Sequence, residues 1–239
     1  MNGQLKGQTV LVVGRGGGLA QAVVLAARDA GAQVVAAGRN TEALATSYAD
    51  ESGISTDYVD LTDEASIAAL GERIGTLDHV VSTASSRARG RLADLDRAAV
   101  QASFDTKVIG PLMLAKHLSP RMAAGGSFVL FSGVAAFKIA VGTLAVAITN
   151  GAADTLTRSL ALELAPIRVN AISPGVIDTG AWDALGEERK AEYFAHITET
   201  NPAGRIGTAE DIAQGVLFAM ASTFLTGVTL GIDGGEPLS

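Results

Sequence analysis

The chain contains no cysteine. That absence removes disulfides, thiolate catalysis and cysteine-ligated zinc or iron–sulfur centres, and it leaves redox chemistry silent about the compartment. Histidine is scarce: His79, His117 and His196 are the only three. No two of them have the i, i+3 or i+4 spacing that sets ligands on one helical face, so no metal site is expected. Long hydrophobic runs are missing too. The longest uncharged apolar stretch, Ile139 to Ile148, is too short to cross a hydrocarbon layer of about 30 Å, and the first residues lack a signal-like apolar segment. A cytoplasmic protein without membrane contact is expected. Basic residues are outnumbered, 18 Lys and Arg against 25 Asp and Glu, for a net charge of −7, and only Arg87, Arg89 and Arg91 cluster. With no basic stripe to neutralise a row of phosphates, nucleic acid is not an expected partner.

What is present is apolar and periodic. Charged residues make up only 18% of the 239, and mean hydropathy is +0.30. That is more apolar surface than one compact monomer needs to hide, which predicts a homotetramer or homodimer. Short β-branched or apolar runs at Thr9–Val13, Gln33–Ala37, Ser55–Val59, His79–Ser82, Ser127–Ser132, Ile167–Ile172 and Val228–Ile232 alternate with Ala/Leu-rich segments of helical spacing. The strands read as continuous apolar runs, so both faces of the sheet should be covered. The expected fold is α/β: a doubly wound, Rossmann-type parallel sheet of seven strands with helices on both faces, in one domain over 1–239. Thr62, followed by Asp63 and Glu64, is the expected N-cap of one helix. The polar stretch from Ala181 to Asn201 reads as a helical flap over the sheet's carboxyl edge, where substrate selectivity would reside.

Directly after the first strand stands Gly14-Arg15-Gly16-Gly17-Gly18-Leu19-Ala20, a glycine-rich turn leading into a helix. Such a turn lets backbone N–H groups approach a pyrophosphate at a helix amino terminus. The second strand ends in Ala37-Gly38-Arg39-Asn40. An acid there would accept bonds from ribose hydroxyls; Arg39 instead offers a forked cation suited to the 2′-phosphate of NADP(H).

These marks, in order over nearly the whole chain, resemble the short-chain dehydrogenase/reductase family. Its T-G-x-x-x-G-I-G motif matches Val13 to Ala20, with Val13 and Ala20 departing from it. Asp60-Leu61 resembles the pair that contacts adenine. Arg168-Val169-Asn170 through Pro174-Gly175-Val176-Ile177 to Thr179 resembles the run that holds the nicotinamide carboxamide, and Asp233-Gly234-Gly235 matches the closing pattern. The family's Asn-Asn-Ala-Gly is altered to Ser82-Thr83-Ala84-Ser85, with Thr83, Ala84 and Ser85 still expected beside the cofactor.

The resemblance also implies a proton-transfer set of Ser, Tyr, Lys and Asn. Its register places Gly133, Val146, Asn150 and Lys107 at those four positions. The chain has three tyrosines, and the residues four beyond Tyr48, Tyr58 and Tyr193 are Ser52, Thr62 and Ile197, so no Tyr-x-x-x-Lys occurs. Losing a positioned general acid forfeits about 10²- to 10⁴-fold in rate. Lys107 is the candidate replacement. Ser132 lies next to the usual serine position, but strand alternation should turn it to the other face. Tyr193 and His196 could supply a proton from the flap. Arg87, Arg89 and Arg91 could clamp an anionic substrate or a cofactor phosphate, or form a solvated loop. Trp182, Tyr193 and Phe194 suggest an apolar or aromatic small-molecule substrate. Two functions stay open: an unusual NADP(H)-dependent reductase of a carbonyl or alcohol substrate, or a protein in which NADP(H) is structural or regulatory or the pocket hosts a non-redox isomerisation or cyclisation.

Overall fold

The computed structural model describes residues 3–180 and 182–239. Seven strands run β1 (Thr9–Val13), β2 (Gln33–Gly38), β3 (Ile54–Tyr58), β4 (Leu77–Ser82), β5 (Met122–Phe131), β6 (Arg168–Pro174) and β7 (Thr229–Ile232). They form one sheet of order β3-β2-β1-β4-β5-β6-β7, parallel at every pairing. This is the expected doubly wound α/β fold.

The continuous apolar runs are explained by burial on both faces. Along β1, Val10 and Val12 belong to one core with Val23 and Val24 of α1 (Leu19–Asp29) and Ile212 and Val216 of α8 (Ala209–Ala221). Leu11 and Val13 face a second core with Ile67 and Leu70 of α3 (Glu64–Arg73), Leu114 and Leu118 of α5 (Gly110–Leu118) and Leu160 of α6 (Leu144–Glu163). Alternate residues of one strand therefore anchor two helical layers.

Between β4 and β5 the chain is helical from α4 (Arg97–Phe104) through a π turn at Asp105–Ile109 into α5. The remaining helices are α2 (Thr41–Ser47) and α7 (Glu187–Thr200). Ala181, the first residue of the expected flap, lies outside the described residues. Among the described residues no helix is long and apolar enough to cross a membrane.

Two local expectations are corrected. The N-cap of α3 is Asp63, whose side chain accepts from Ala65 N at 3.0 Å, because Thr62 is held one residue earlier by donating its hydroxyl to Asp60 Oδ1 at 2.8 Å. Strand β5 begins five residues before Ser127, on a Met-Ala-Ala-Gly-Gly start without β-branched side chains. It reaches β4 through the pairing of Leu77 with Met122 and an irregularity before His79.

Candidate active site

The sheet order reverses between β1 and β4, whose carboxyl ends therefore carry loops that part to opposite sides and leave a crevice. Gly14 follows β1 and donates its N–H to Ala37 O at 2.9 Å. A side chain on Gly14 would collide with Thr83 Oγ1 and come within 2.8 Å of Ala20 Cβ, so only glycine lets the turn pass between β4's end and α1. Gly18, at φ +61, is the N-cap of α1. It turns the chain so that free N–H groups of the first helical turn face the crevice.

The crevice has a volume of about 670 Å³. Of the residues expected to hold a cofactor, Gly14, Arg15, Gly16, Gly17 and Leu19 line it from the glycine turn, Arg39 and Asn40 from the end of β2, and Asp60 and Leu61 from the end of β3. Thr83, Ala84 and Ser85 line it from the end of β4, and Thr179 from the loop after β6. Gly18 lies at the helix start beside them. Pro174, Gly175, Val176 and Ile177 do not line it. Val176 N donates to Glu236 Oε2 at 3.2 Å, Ile177 O accepts from Trp182 Nε1 at 3.1 Å, and both residues border a separate cavity of about 430 Å³ with Arg205 and Asp233. The loop after β6 folds back on the carboxyl-terminal turn, a long-range contact that no local pattern announces.

Several of these side chains already have protein partners. Asn40 caps α2 by accepting from Ala43 N at 2.9 Å, and Asp60 Oδ1 accepts from Thr62 N at 2.9 Å. Arg15 Nη2 donates to Thr179 O at 3.2 Å, which links the two walls. Arg39 makes no hydrogen bond or ion pair among the described residues. The charged groups lining the crevice are Arg15, Arg39, Arg87 and one acid, Asp60; in a chain of net charge −7 this is a local excess of positive charge. Ser86 and Thr106 also line it, joined by Ser86 N donating to Thr106 Oγ1 at 3.0 Å. Sequence reasoning passed over both, since Thr106 reaches the crevice through the π turn.

Three of the four positions singled out for proton transfer, Lys107, Gly133 and Asn150, meet at one backbone segment. Lys107 sits in the π turn, 9% exposed, with Nζ donating to Ser132 O at 2.8 Å. Asn150 Nδ2 donates to Gly133 O at 3.1 Å, while its Oδ1 is buried and has no partner among the described residues. Val146 is buried one turn before Asn150 on α6. Ser132 continues the alternation of Phe128 and Leu130, which face the core that includes Leu160 of α6: its hydroxyl points to α6 and donates to Asn150 O at 3.2 Å.

Burial, reinforced by Arg87 and opposed by Asp154, holds the Lys107 ammonium down to about 7. Burial likewise lowers Arg87, followed by the charges of Arg89 and Arg15, although the residue keeps part of its surface in solvent. On the flap side Tyr193 stacks on Trp182 with ring centroids 4.8 Å apart. Its hydroxyl is raised by burial and by Glu236, against Arg89. His196 is exposed on α7 and joins no cluster, and Arg91 is exposed. The arrangement combines an anion-binding crevice with a buried amine able to carry or release a proton near neutral pH.

Comparison with known proteins follows the same frame. The family model described as "Enoyl-(Acyl carrier protein) reductase" matches residues 14–236. The chain is 32% identical to 2-keto-3-deoxy-L-fuconate dehydrogenase of Xanthomonas campestris pv. campestris, over 98% of this chain and 81% of that protein. It is 31% identical to L-xylulose reductase of Mesocricetus auratus, over 97% of each. A solved structure described as a small-chain dehydrogenase in complex with NADPH superposes with a TM-score of 0.84 at 30% identity, covering 97% of this chain and 99% of that one.

Proposed function

The chain belongs to the short-chain dehydrogenase/reductase family, and we propose that it is an NADP(H)-dependent oxidoreductase interconverting a small carbonyl compound and its alcohol without a Tyr-x-x-x-Lys pair. The observation that carries this reading is the crevice itself: a glycine turn that a Cβ at Gly14 would fill, a helix amino terminus, and Arg15 and Arg39 placed beside them. The residues present fit NADP(H). The glycine turn and the start of α1 hold the pyrophosphate, Arg39 takes the 2′-phosphate, and Asp60 and Leu61 border the adenine. When bound, the dinucleotide supplies or accepts the hydride.

The chain's own task is the proton. Lys107 Nζ is the proton-holding atom of this reading. It has one protein acceptor, and a pKa near 7 lets it give a proton to a developing alkoxide in reduction and recover it in oxidation. Val146 and Asn150 orient no proton. The flap formed by α7 closes over an apolar or aromatic substrate with Trp182, Tyr193 and Phe194. Exposed Leu144, Ile148 and Leu162 on α6 fit pairing of copies as a homodimer or homotetramer.

Titration with NADPH and NADH by fluorescence or calorimetry, followed by the absorbance of NADPH over a panel of ketones, enones and quinones, tests the reading. Micromolar binding with consumption of NADPH is expected. Binding without oxidation across the panel overturns it.

A further inference from the structure

The loop after β4 carries more positive charge than the dinucleotide reading uses. Arg87 lines the crevice beyond Ser85. Arg89 follows on the same loop and lies with Cζ 5.1 Å from the centre of the Trp182 ring. Neither makes a hydrogen bond or ion pair with any protein group among the described residues. Their backbone is nevertheless fixed. Ser86 N donates to Thr106 Oγ1 at 3.0 Å, Gly90 N donates to Gly142 O at 3.1 Å, and Ala88 between them is 3% exposed. Two like charges are thus presented close together on an anchored segment, both exposed to solvent and open to an anion that joins them.

The acids across the gap do not serve as that anion. Asp178 and Asp183 are both engaged by Lys190, at 2.9 and 2.7 Å, and Glu236 Oε2 accepts from Val176 N. Aromatic surface faces the two arginines instead. Trp182 is held by its Nε1 bond to Ile177 O and stacks on Tyr193.

We infer a second anion site, formed by Arg87 and Arg89 at the flap end of the crevice, that binds a carboxylate carried by the substrate itself. The substrate is then a keto acid or hydroxy acid whose body rests on the Trp182–Tyr193 wall. Guanidinium forks match a carboxylate in two parallel hydrogen bonds, which fixes the orientation of the neighbouring carbonyl. The inference rests on the oxidoreductase reading and deepens it by naming the substrate class.

The test is calorimetric binding to NADP⁺-saturated protein. The probes are a panel of keto acids, including phenylpyruvate, each paired with its neutral methyl ester. Wild type is expected to bind at least one acid about tenfold more tightly than its ester, the scale of a charge-assisted pair. Arg89→Gln and Arg87→Gln should each abolish that preference, and Arg89→Gln should leave the Kd for NADPH within about twofold. If no acid outbinds its ester, there is no such site. If the variants keep the preference, or if Arg89→Gln weakens NADPH tenfold, the arginines belong to the dinucleotide and the inference falls. A wild-type protein that fails to bind NADPH overturns the parent reading, whereas one that binds NADPH and prefers no acid overturns this inference alone.

Discussion

Replacing Lys107 by methionine, which keeps the stem and removes the charge, should make the protein more stable at neutral pH and less stable in alkali. The side chain is 9% exposed, and burial lowers its pKa from 10.5 to about 7. Folding therefore disfavours the proton. Between pH 7 and 10.5 the unfolded chain holds one that the folded chain lacks, so wild-type stability rises with pH across this window. The contribution is complete above 10.5 and is lost as pH falls through 7. At about 1.4 kcal/mol per unit, the whole interval corresponds to about 5 kcal/mol, an upper figure for a buried group.

Methionine also removes the bond from Nζ to Ser132 O, and an orphaned carbonyl costs about 1–3 kcal/mol. The variant should then be about 2–4 kcal/mol more stable than wild type at pH 6. That advantage should shrink by about 2 kcal/mol between pH 7 and 9. Urea unfolding of both proteins at pH 6, 7, 8 and 9 measures the difference, in which other titrating groups cancel. A difference that does not vary with pH would show that the ammonium is not held in a disfavoured state and would refute the reasoning. The same variant should lose about 10²-fold or more in turnover while still binding NADPH.

Arg39→Ala should weaken NADPH by about tenfold or more and NADH little; equal losses by calorimetry would remove the 2′-phosphate assignment. Gly14→Ala forces a methyl against Thr83 Oγ1 and to within 2.8 Å of Ala20 Cβ, so it should destabilise by about 1–3 kcal/mol and impair NADPH binding in a chain still folded by circular dichroism. His79 is 2% exposed, and burial, helped by Arg168, holds its imidazole down to about 4 from 6.5. The unfolded state binds the extra proton between these values, so acidification from pH 6.5 to 5 should cost about 2 kcal/mol that His79→Gln does not lose. Asp211→Asn disrupts both the capping box with Thr208 and the ion pair to Arg205; a drop of about 1–2 kcal/mol in urea unfolding is expected.

The sequence announced most of the sheet because strands buried on both faces need unbroken apolar runs, and β1 and β2 start where those runs start. It failed where local chemistry and tertiary contact diverge. The opening of β5 is Ala and Gly and pairs through Leu77 and Met122 without any strand signature. The position of the glycine turn and Arg39 on one crevice was legible because strand ends and the turns after them are local in sequence. The placement of Pro174 to Ile177 was not, since it depends on Glu236, 60 residues from Val176. Position 107 stood out in the sequence, but its burial did not: the π turn that carries it inward leaves no periodic trace.

Cations without an acid partner occur both at the crevice and across the rest of the surface. Arg39 and Arg87, which line the crevice, and Arg89 and Lys107 make no contact with an acid among the described residues. Arg28, Arg73, Lys116, Arg121, Lys190 and Arg205 each pair with an acid, whereas Arg91, Arg97, Arg158 and Arg189, away from the crevice, have no ion pair among the described residues either. The buried, disfavoured Lys107 ammonium lowers stability at neutral pH. Arg15, Arg39 and Arg87 line one crevice with a single acid, Asp60, and such a local excess of positive charge is the expected mark of a site arranged for charge brought by its ligands. Binding should therefore raise the melting temperature by more than the affinity for a single phosphate group would give. NADPH and a keto acid together should raise it by less than the sum of their separate shifts, because two anions in electrostatic contact repel and each lowers the positive potential that attracts the other. Strictly additive shifts in thermal unfolding would place the two anion sites out of electrostatic contact and break the link drawn between them.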